Sequence, residues 1–215
     1  MKKTLLALIC VIFILPWNGQ KAFGQEETNY KFTLKTNPLA AFAGPIWAAW
    51  IVPITGEYKV LFEAKTFKKQ SLQVGASYLG PSVFVSALKS ELGDSADVEV
   101  GVNGFRGQLW YKFFLTRDSD GPSGFYASPH FSFASARIEN KDEPDDYVNA
   151  AKLNIHGVLG YQLITRGGFV LDIFTGLGFR DMTWDYAQEG STDLDFGEGK
   201  GRVNVTFGLS FGYAF

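Results

Sequence analysis

The sequence predicts an all-β protein, an eight-stranded antiparallel up-and-down β-barrel that crosses a membrane. Three observations favour it. Hydrophobic residues make up 46% and aromatic residues 16%, yet charged residues reach 20% and mean hydropathy is near zero, as expected where only alternate residues meet lipid. Apolar and polar residues alternate along eight segments with the period of a strand. Connections alternate between short and long, as in membrane barrels. A soluble lipocalin-type barrel, with its apolar face inward, is the alternative fold.

The first 24 residues predict a cleaved secretory signal peptide. Lys2 and Lys3 precede the apolar run Leu5–Leu15, and Ala22-Phe23-Gly24 places small residues around a cleavage site. The run is too short to cross a membrane as a helix. Residues 25–215 would then form one barrel domain. The only cysteine, Cys10, lies in the signal, so the mature chain is expected to hold no disulfide.

The first strand is predicted at Tyr30–Asn37, where apolar and polar residues alternate. The apolar segment that follows, Pro38–Ile54, contains three prolines, which exclude a transmembrane helix because each removes a backbone donor and clashes with the preceding turn. We expect a hairpin near Ala43–Pro45 instead. The second strand is predicted at Ile51–Phe62.

The other six strands follow the same alternation, with large apolar residues on one face and glycine, serine and charged residues on the other. Short connections follow strands two, four and six, and longer ones follow strands three, five and seven. The pattern therefore indicates a packed polar interior. These strands are predicted at Ser71–Leu79, Phe105–Leu115, Phe125–Arg137, Leu153–Leu163, Phe169–Arg180 and Gly201–Phe215.

The last strand ends in the outward aromatic residues Phe211, Tyr213 and Phe215. It resembles the closing strand of bacterial outer-membrane β-barrels, whose alternating C-terminal segment ends in phenylalanine. Lys35-Thr36-Asn37, Gly56-Glu57-Tyr58 and Gly160-Tyr161-Gln162 also look like small, uncharacterised Gram-negative barrels of the eight-stranded OmpA-like type. The resemblance implies residence in the outer membrane, contact with its lipid and lipopolysaccharide, and recognition of the terminal aromatics by the barrel-assembly machinery. It implies no reaction.

The predicted interior face gathers charged and histidine side chains. An eight-stranded lumen is just filled by side chains, so buried charges must pair. A salt-bridged plug is the leading interpretation. The alternative is a narrow gated pore in which Glu57, Lys112 and Asp172 exchange partners. The predicted interior residues are Lys31, Lys35, Glu57, Lys59, Arg106, Lys112, His130, His156, Asp172 and Arg180.

His130 and Ser132 are weak catalytic candidates, because a histidine and a serine two residues apart occur in outer-membrane enzymes that trim lipid A. They provide the alternative function, a lipid A or phospholipid hydrolase. Both lie on the predicted interior face, however, whereas a lipid arrives from outside. We therefore assign no catalytic residue. His156 has no companion at metal-ligand spacing, so no metal and no cofactor are predicted.

Acidic residues concentrate in the predicted connections Ile138–Ala150 and Asp181–Lys200. They are either solvated surface or sites where divalent cations bridge to lipopolysaccharide phosphates. Removing the signal leaves a formal charge of (20 − 3) − 22 = −5, which does not favour nucleic acid as a partner. The leading expectation is a non-enzymatic outer-membrane protein, structural, adhesive or ligand-binding, that acts through acidic external loops.

Overall fold

The computed structural model describes residues 30–48, 52–53, 55–83, 87, 100–116, 122–140, 147–186 and 202–215. The predicted signal peptide lies outside them. Eight antiparallel strands form a closed up-and-down barrel, which confirms the predicted architecture. The strands are β1 Phe32–Thr36, β2 Thr55–Phe67, β3 Gln70–Pro81, β4 Val100–Phe114, β5 Gly124–Asn140, β6 Tyr147–Ile164, β7 Phe169–Tyr186 and β8 Arg202–Ala214.

The last strand closes the barrel against the first, as predicted. Thr33 lies opposite Ala214, and Leu34 lies opposite Tyr213. The backbone N–H of Phe32 donates to the carbonyl of Phe215 at 3.0 Å, and the N–H of Phe215 donates back to the carbonyl of Phe32 at 2.9 Å. Closure of this kind leaves the sheet without a free lateral edge where the two strands meet.

The stagger of the strands follows from one row of residues that lie opposite each other around the wall. The row starts at Thr33 on β1 and arrives at Asn204 on β8, but Thr33 itself pairs with Ala214, an offset of 214 − 204 = 10 residues. With strands about 4.8 Å apart and a rise of about 3.3 Å per residue, this offset tilts the strands by about 40°. The interior at that geometry accommodates side chains and little else.

Large apolar side chains point away from the lumen on every strand. Leu34, Val60, Leu109 and Phe179 are exposed, while the inward positions carry many buried polar and charged residues. This orientation is opposite to that of a lipocalin-type barrel, whose interior is apolar. Among the described residues, none lies in a helix long and apolar enough to cross a membrane.

The polarity of the wall inverts near one end of the barrel. On β7 the exposed apolar series runs from Phe169 to Phe179 and is followed by exposed Asp181. Those 179 − 169 = 10 residues rise about 25 Å along the barrel axis at this tilt. Beyond them the inward side becomes apolar, where a cluster of buried residues packs against Ile138, Met182 and Trp184. Its members are Ile46, Leu79, Ala134, Ala136 and Ala150.

The connection between β1 and β2 folds into this end of the lumen. It begins with the single 3-10 turn Pro38–Ala41, and its Gly44, Pro45 and Ile46 are buried. The carbonyl of Pro45 accepts a hydrogen bond from Lys152 Nζ at 2.6 Å. We call residues 44–46 the cap. The hairpin expected near Ala43–Pro45 is wrong, because the segments that pair are the two-residue strands Trp47–Ala48 and Val52–Pro53, which lie later in the chain.

Several predicted strand boundaries are also wrong. β2 runs from Thr55 to Phe67 rather than from Ile51 to Phe62. β5 extends to Asn140 and β6 begins at Tyr147. The connection between them, residues 141–146, was predicted to be long but is shorter than the connection after β4, residues 115–123, which was predicted to be short. The extensions were missed because the apolar residues change face where the wall inverts, which breaks the expected outward-apolar alternation.

Candidate functional site

Four charged side chains form a square across the lumen, near the end of the barrel that lies away from the cap. We call this square the inner ion cluster, and its members are Lys35, Glu63, Lys112 and Asp172. Lys35 Nζ lies 2.5 Å from Glu63 Oε2 and 2.8 Å from Asp172 Oδ2. Lys112 Nζ lies 2.6 Å from Asp172 Oδ2 and 3.3 Å from Glu63 Oε2. Each cation therefore contacts both carboxylates, and the square is neutral. All four side chains are at most 3% exposed, so mutual pairing is what makes their burial tolerable.

Neutral polar groups complete the hydrogen bonding of this square. Gln162 Oε1 accepts from Lys35 Nζ and Lys112 Nζ, both at 2.8 Å. Tyr126 OH donates to Asp172 Oδ1 at 2.7 Å, and Ser71 Oγ donates to Glu63 Oε1 at 2.5 Å. A buried ionic network with its remaining lone pairs satisfied holds one arrangement, because any exchange of partners would leave a group unpaired.

A second set of charges, the outer ion cluster, lies nearer the cap: Glu57, Lys59 and Arg106. Glu57 Oε2 lies 3.1 Å from Lys59 Nζ and 3.0 Å from Arg106 Nη1. Its other oxygen, Oε1, accepts from Ser77 Oγ at 2.7 Å and Gln108 Nε2 at 2.9 Å. The single carboxylate is thus shared by two cations.

Aromatic rings separate the two ion clusters. The Trp110 ring stacks on His130 at 3.9 Å between centroids and meets Phe174 edge-on at 4.7 Å. His130 stacks on His156 at 5.7 Å. Trp110 also packs with Phe114, Tyr126 and Val158. The lumen therefore alternates ionic, aromatic, ionic and apolar layers from the termini to the cap.

His156 reaches across β7 because the intervening position is a glycine. Its Nε2 lies 2.7 Å from Asn204 Oδ1 on β8. Gly178 is the in-register residue between them. A Cβ at Gly178 would come within 2.6 Å of the His156 Cα, so a larger residue would force the strands apart.

The structure places most of the predicted interior charges in the lumen, and two corrections follow. Lys31 is exposed at the terminal end, so its predicted interior position is wrong. Glu57 belongs to a different cluster from Lys112 and Asp172, so those three do not form one exchanging set. The residues found facing inward are Lys35, Glu57, Lys59, Arg106, Lys112, His130, His156, Asp172 and the half-buried Arg180.

Two interior charges were missed from the sequence, Glu63 and Lys152. The second strand was predicted to end at Phe62 and the sixth to begin at Leu153, so each predicted strand stopped one residue before the charge that was missed. Glu63 lies an even number of residues from Glu57 and Lys59, so it shares their face of the strand. This spacing would have identified Glu63 as an interior residue once the strand was extended.

His130 and Ser132 do not form a catalytic pair in this arrangement. Ser132 Oγ accepts from Arg106 Nη2 at 3.0 Å and from Asn154 Nδ2 at 3.1 Å. Neither ring nitrogen of His130 has a hydrogen-bond partner within the described residues. Both side chains are buried in the lumen. No group of three or more histidine, cysteine or carboxylate ligands suited to a metal occurs in the described part of the chain.

The terminal aromatics Phe211, Tyr213 and Phe215 lie on the outer face of β8, and the Phe215 ring lies 6.0 Å from that of Phe32. Of the acidic residues predicted in loops, Glu139, Asp181 and Asp185 lie on strands. The others lie outside the described residues: Asp142, Glu143, Asp145, Asp146, Glu189, Asp193, Asp195 and Glu198.

Comparison of the chain with known families, curated proteins and solved structures found no match in any of the three. The geometry alone must therefore suggest a function. It offers a closed wall, an exterior that is apolar over a defined height, and a lumen filled by paired charges and stacked rings.

Proposed function

We propose that the protein is an exported, non-enzymatic outer-membrane barrel, structural, adhesive or ligand-binding, that acts through its cap-side end. The observation that carries the proposal is the inversion of wall polarity. Exposed apolar residues cover about 25 Å of the axis, the height of the lipid-facing band in transmembrane barrels. Beyond Phe179 the exposed residues turn polar and the enclosed ones apolar, as expected where a wall leaves lipid and enters water.

Aromatic side chains near both limits of this band support the same proposal. Phe169 and Phe215 are exposed at the terminal end, and Phe105 and Phe133 are exposed toward the cap. Aromatic girdles occupy the two interfaces of membrane barrels. The predicted signal peptide and the terminal aromatics are consistent with export and assembly, and lipid and lipopolysaccharide are the proposed surroundings.

The filled lumen favours this function over the two alternatives. Two ion clusters and an aromatic layer occupy the interior, which argues against a narrow pore. The hydroxyl of Ser132 is held by Arg106 and Asn154 rather than by His130, which argues against a hydrolase. Binding is then left to the cap-side end, where the acidic connections would lie outside the membrane, with divalent cations as candidate partners.

Cysteine labelling tests the membrane orientation, because the only native cysteine is in the predicted signal. Single cysteines would replace Leu159 and Ile173 inside the apolar band and Asn149 and Thr183 beyond it. All four positions are exposed on the outer face. With the barrel folded into phospholipid vesicles, an impermeant maleimide should label only the variants at Asn149 and Thr183. When detergent is added, these two variants should still be labelled to the same extent as each other. Equal labelling of all four would contradict membrane insertion.

A planar-bilayer recording tests the closed lumen separately. The wild-type protein is expected to show no discrete conductance steps, because the buried charges are paired and the rings stack across the interior. Reproducible voltage-dependent steps would favour the pore instead. The labelling experiment and the conductance experiment test separate claims, because a barrel that is inserted in the membrane can still conduct ions.

A further inference from the structure

The cap-side part of β8 has an unpaired edge, because β1 is shorter than the strands that it joins. The last residue of β1, Thr36, lies opposite Phe211, whereas β8 continues to Arg202. The backbone of Phe215 bonds to that of Phe32, so the odd-numbered residues of β8 direct their N–H and carbonyl groups toward β1. Beyond Phe211 these groups have no hydrogen-bond partner among the described residues. They belong to Val203, Val205, Phe207 and Leu209.

The chain that follows β1, as far as it is described, runs along β2 and not along β8. Thr36 Oγ1 donates to the Lys59 carbonyl at 2.8 Å. The N–H of Gly44 donates to the Thr55 carbonyl at 2.6 Å. We call the opening between residues 202–210 of β8 and this connection the notch.

Side-chain exposure shows that the notch is open. On the inward face of β8, Asn204 and Thr206 are half-exposed, but Ser210 is buried. Exposure of the inward face therefore begins close to where β1 ends. Across the lumen, the inward residues His130 and Ser132 of the fully paired β5 are buried.

The outer face of β8 has also lost a neighbour at the notch. Val203 and Phe207 are 63% and 74% exposed, whereas Ile155 on the fully paired β6 is 44% exposed. Val203 lies opposite Phe179, the last exposed apolar residue of β7, so the unpaired edge lies within the apolar band. Backbone polar groups without partners are strongly unfavourable in hydrocarbon. An occupant of the notch must therefore offer them polar atoms.

Two arginines lie at the cap-side limit of the notch. Arg180 and Arg202 are directly opposite each other on β7 and β8, with their Cα atoms about 5 Å apart. Arg202 is exposed and Arg180 is half-buried. The pair lies one residue beyond Phe179, at the limit of the apolar band, where lipid headgroups begin. Two adjacent guanidinium groups favour a phosphate as their partner.

We propose that the notch binds one lipid of the surrounding membrane, with a phosphate headgroup and ester-linked acyl chains; this inference rests on the proposed membrane function. The phosphate contacts Arg180 and Arg202. The ester carbonyls accept hydrogen bonds from the free N–H groups of Val203 and Val205, and the acyl chains lie along the outer face toward Phe207. A lipid fits better than an extended peptide, because a peptide strand would bring no phosphate to the arginines.

Native mass spectrometry of the folded barrel released from detergent micelles tests the headgroup contact, with phosphatidylglycerol titrated as the probe. Wild type should retain one lipid saturably. The double variant Arg180→Gln/Arg202→Gln should bind it at least about tenfold more weakly. Lys31→Gln/Arg166→Gln makes the same chemical changes at exposed positions of the other end and should bind like wild type.

Val205→Pro tests the unpaired edge separately. It removes an N–H that points into the notch, so the ladder between β8 and β7 keeps its hydrogen bonds. Loss of one hydrogen bond should weaken lipid binding by about fivefold. Val205→Ala shortens the same side chain but keeps the N–H, and should bind more tightly than Val205→Pro.

Absence of saturable retention by wild type would overturn the proposal, as would equal retention by wild type and the arginine variant. Equal binding by Val205→Pro and Val205→Ala would overturn the role of the edge. Displacement of the lipid by an equal concentration of glycerol phosphate would assign the site to a free phosphate, and a retained peptide would assign it to a protein partner; either result overturns the lipid assignment.

Two further measures keep these results interpretable. If the double arginine variant fails to fold, Arg202→Gln replaces it, because Arg202 is exposed. The cysteine labelling described above separates the two proposals, since a barrel that inserts into vesicles but retains no lipid contradicts only the notch assignment.

Discussion

Lys112 on β4 and Asp172 on β7 form an ion pair across the lumen, with Nζ 2.6 Å from Oδ2. Their strands are not neighbours in the barrel wall, so the bond joins opposite sides of the barrel and not adjacent backbones. Lys35 and Glu63 complete the square from β1 and β2. The inner ion cluster therefore ties four of the eight strands together through side chains alone.

Asp172→Asn is expected to destabilise the barrel strongly, because it leaves Lys35 and Lys112 sharing one carboxylate in a buried site. Breaking a buried ionic group in this way costs about 3–5 kcal/mol. Urea unfolding in lipid vesicles, followed by the shift between folded and unfolded bands on unboiled gels, measures the change.

Glu139→Gln is the matched control for that variant. It neutralises one carboxylate of the exposed Arg137–Glu139 pair, whose side chains are 45% and 36% exposed, and should cost about 0–1 kcal/mol. The double variant Lys112→Met/Asp172→Asn should lose less stability than the sum of its single changes, because it removes one charge of each sign. Equal effects of Asp172→Asn and Glu139→Gln would contradict the structural role assigned to the inner cluster.

Gly178→Ala should destabilise the barrel and separate His156 from Asn204. The added methyl would press on the His156 Cα and on the neighbouring backbone, and overpacking of this kind costs about 1–3 kcal/mol. Gly107→Ala is the control, since a Cβ there meets nothing within 4 Å. Histidine NMR resonances in micelles would report the broken contact, and an unchanged His156 signal would count against it.

Ile46→Ala should loosen the cap. Ile46 is fully buried, whereas Leu39 in the same connection is 56% exposed. Truncating a buried isoleucine costs about 2–5 kcal/mol, while Leu39→Ala should change stability by about 0.5 kcal/mol or less. Limited proteolysis of the folded barrel should cut the β1–β2 connection faster in Ile46→Ala alone. Similar cleavage in both variants would mean that the cap is not anchored by this side chain.

His130→Ala and Ser132→Ala are expected to leave lipid A and phospholipids unchanged. Ser132 is hydrogen-bonded to Arg106 and Asn154, and His130 makes no bond to it. Mass spectrometry of outer-membrane lipids from cells expressing each variant checks this expectation. A modification present with wild type and lost in both variants would instead support the hydrolase.

Much of the fold follows from alternation alone. A strand exposes alternate residues to opposite faces, so the pattern from Arg202 to Phe215 predicts both a strand and its two faces without knowledge of its partner. The same alternation within each strand places Lys35, Glu57 and Asp172 on the inward face. It failed beyond Arg137 and before Leu153, where the enclosed side turns apolar and the expected pattern reverses.

The pairing of the interior charges was decided by the tertiary structure. Alternation assigns each side chain to one face of its strand. The position of a residue along the barrel axis, however, depends on the 10-residue offset that accumulates around the wall. That offset brings Lys112 level with Asp172 and leaves Glu57 with Lys59 and Arg106. Alternation is a local property of each strand, whereas the offset exists only once all eight strands have closed into a barrel. The sequence therefore determines which residues face inward, and closure of the barrel determines which of those residues contact each other.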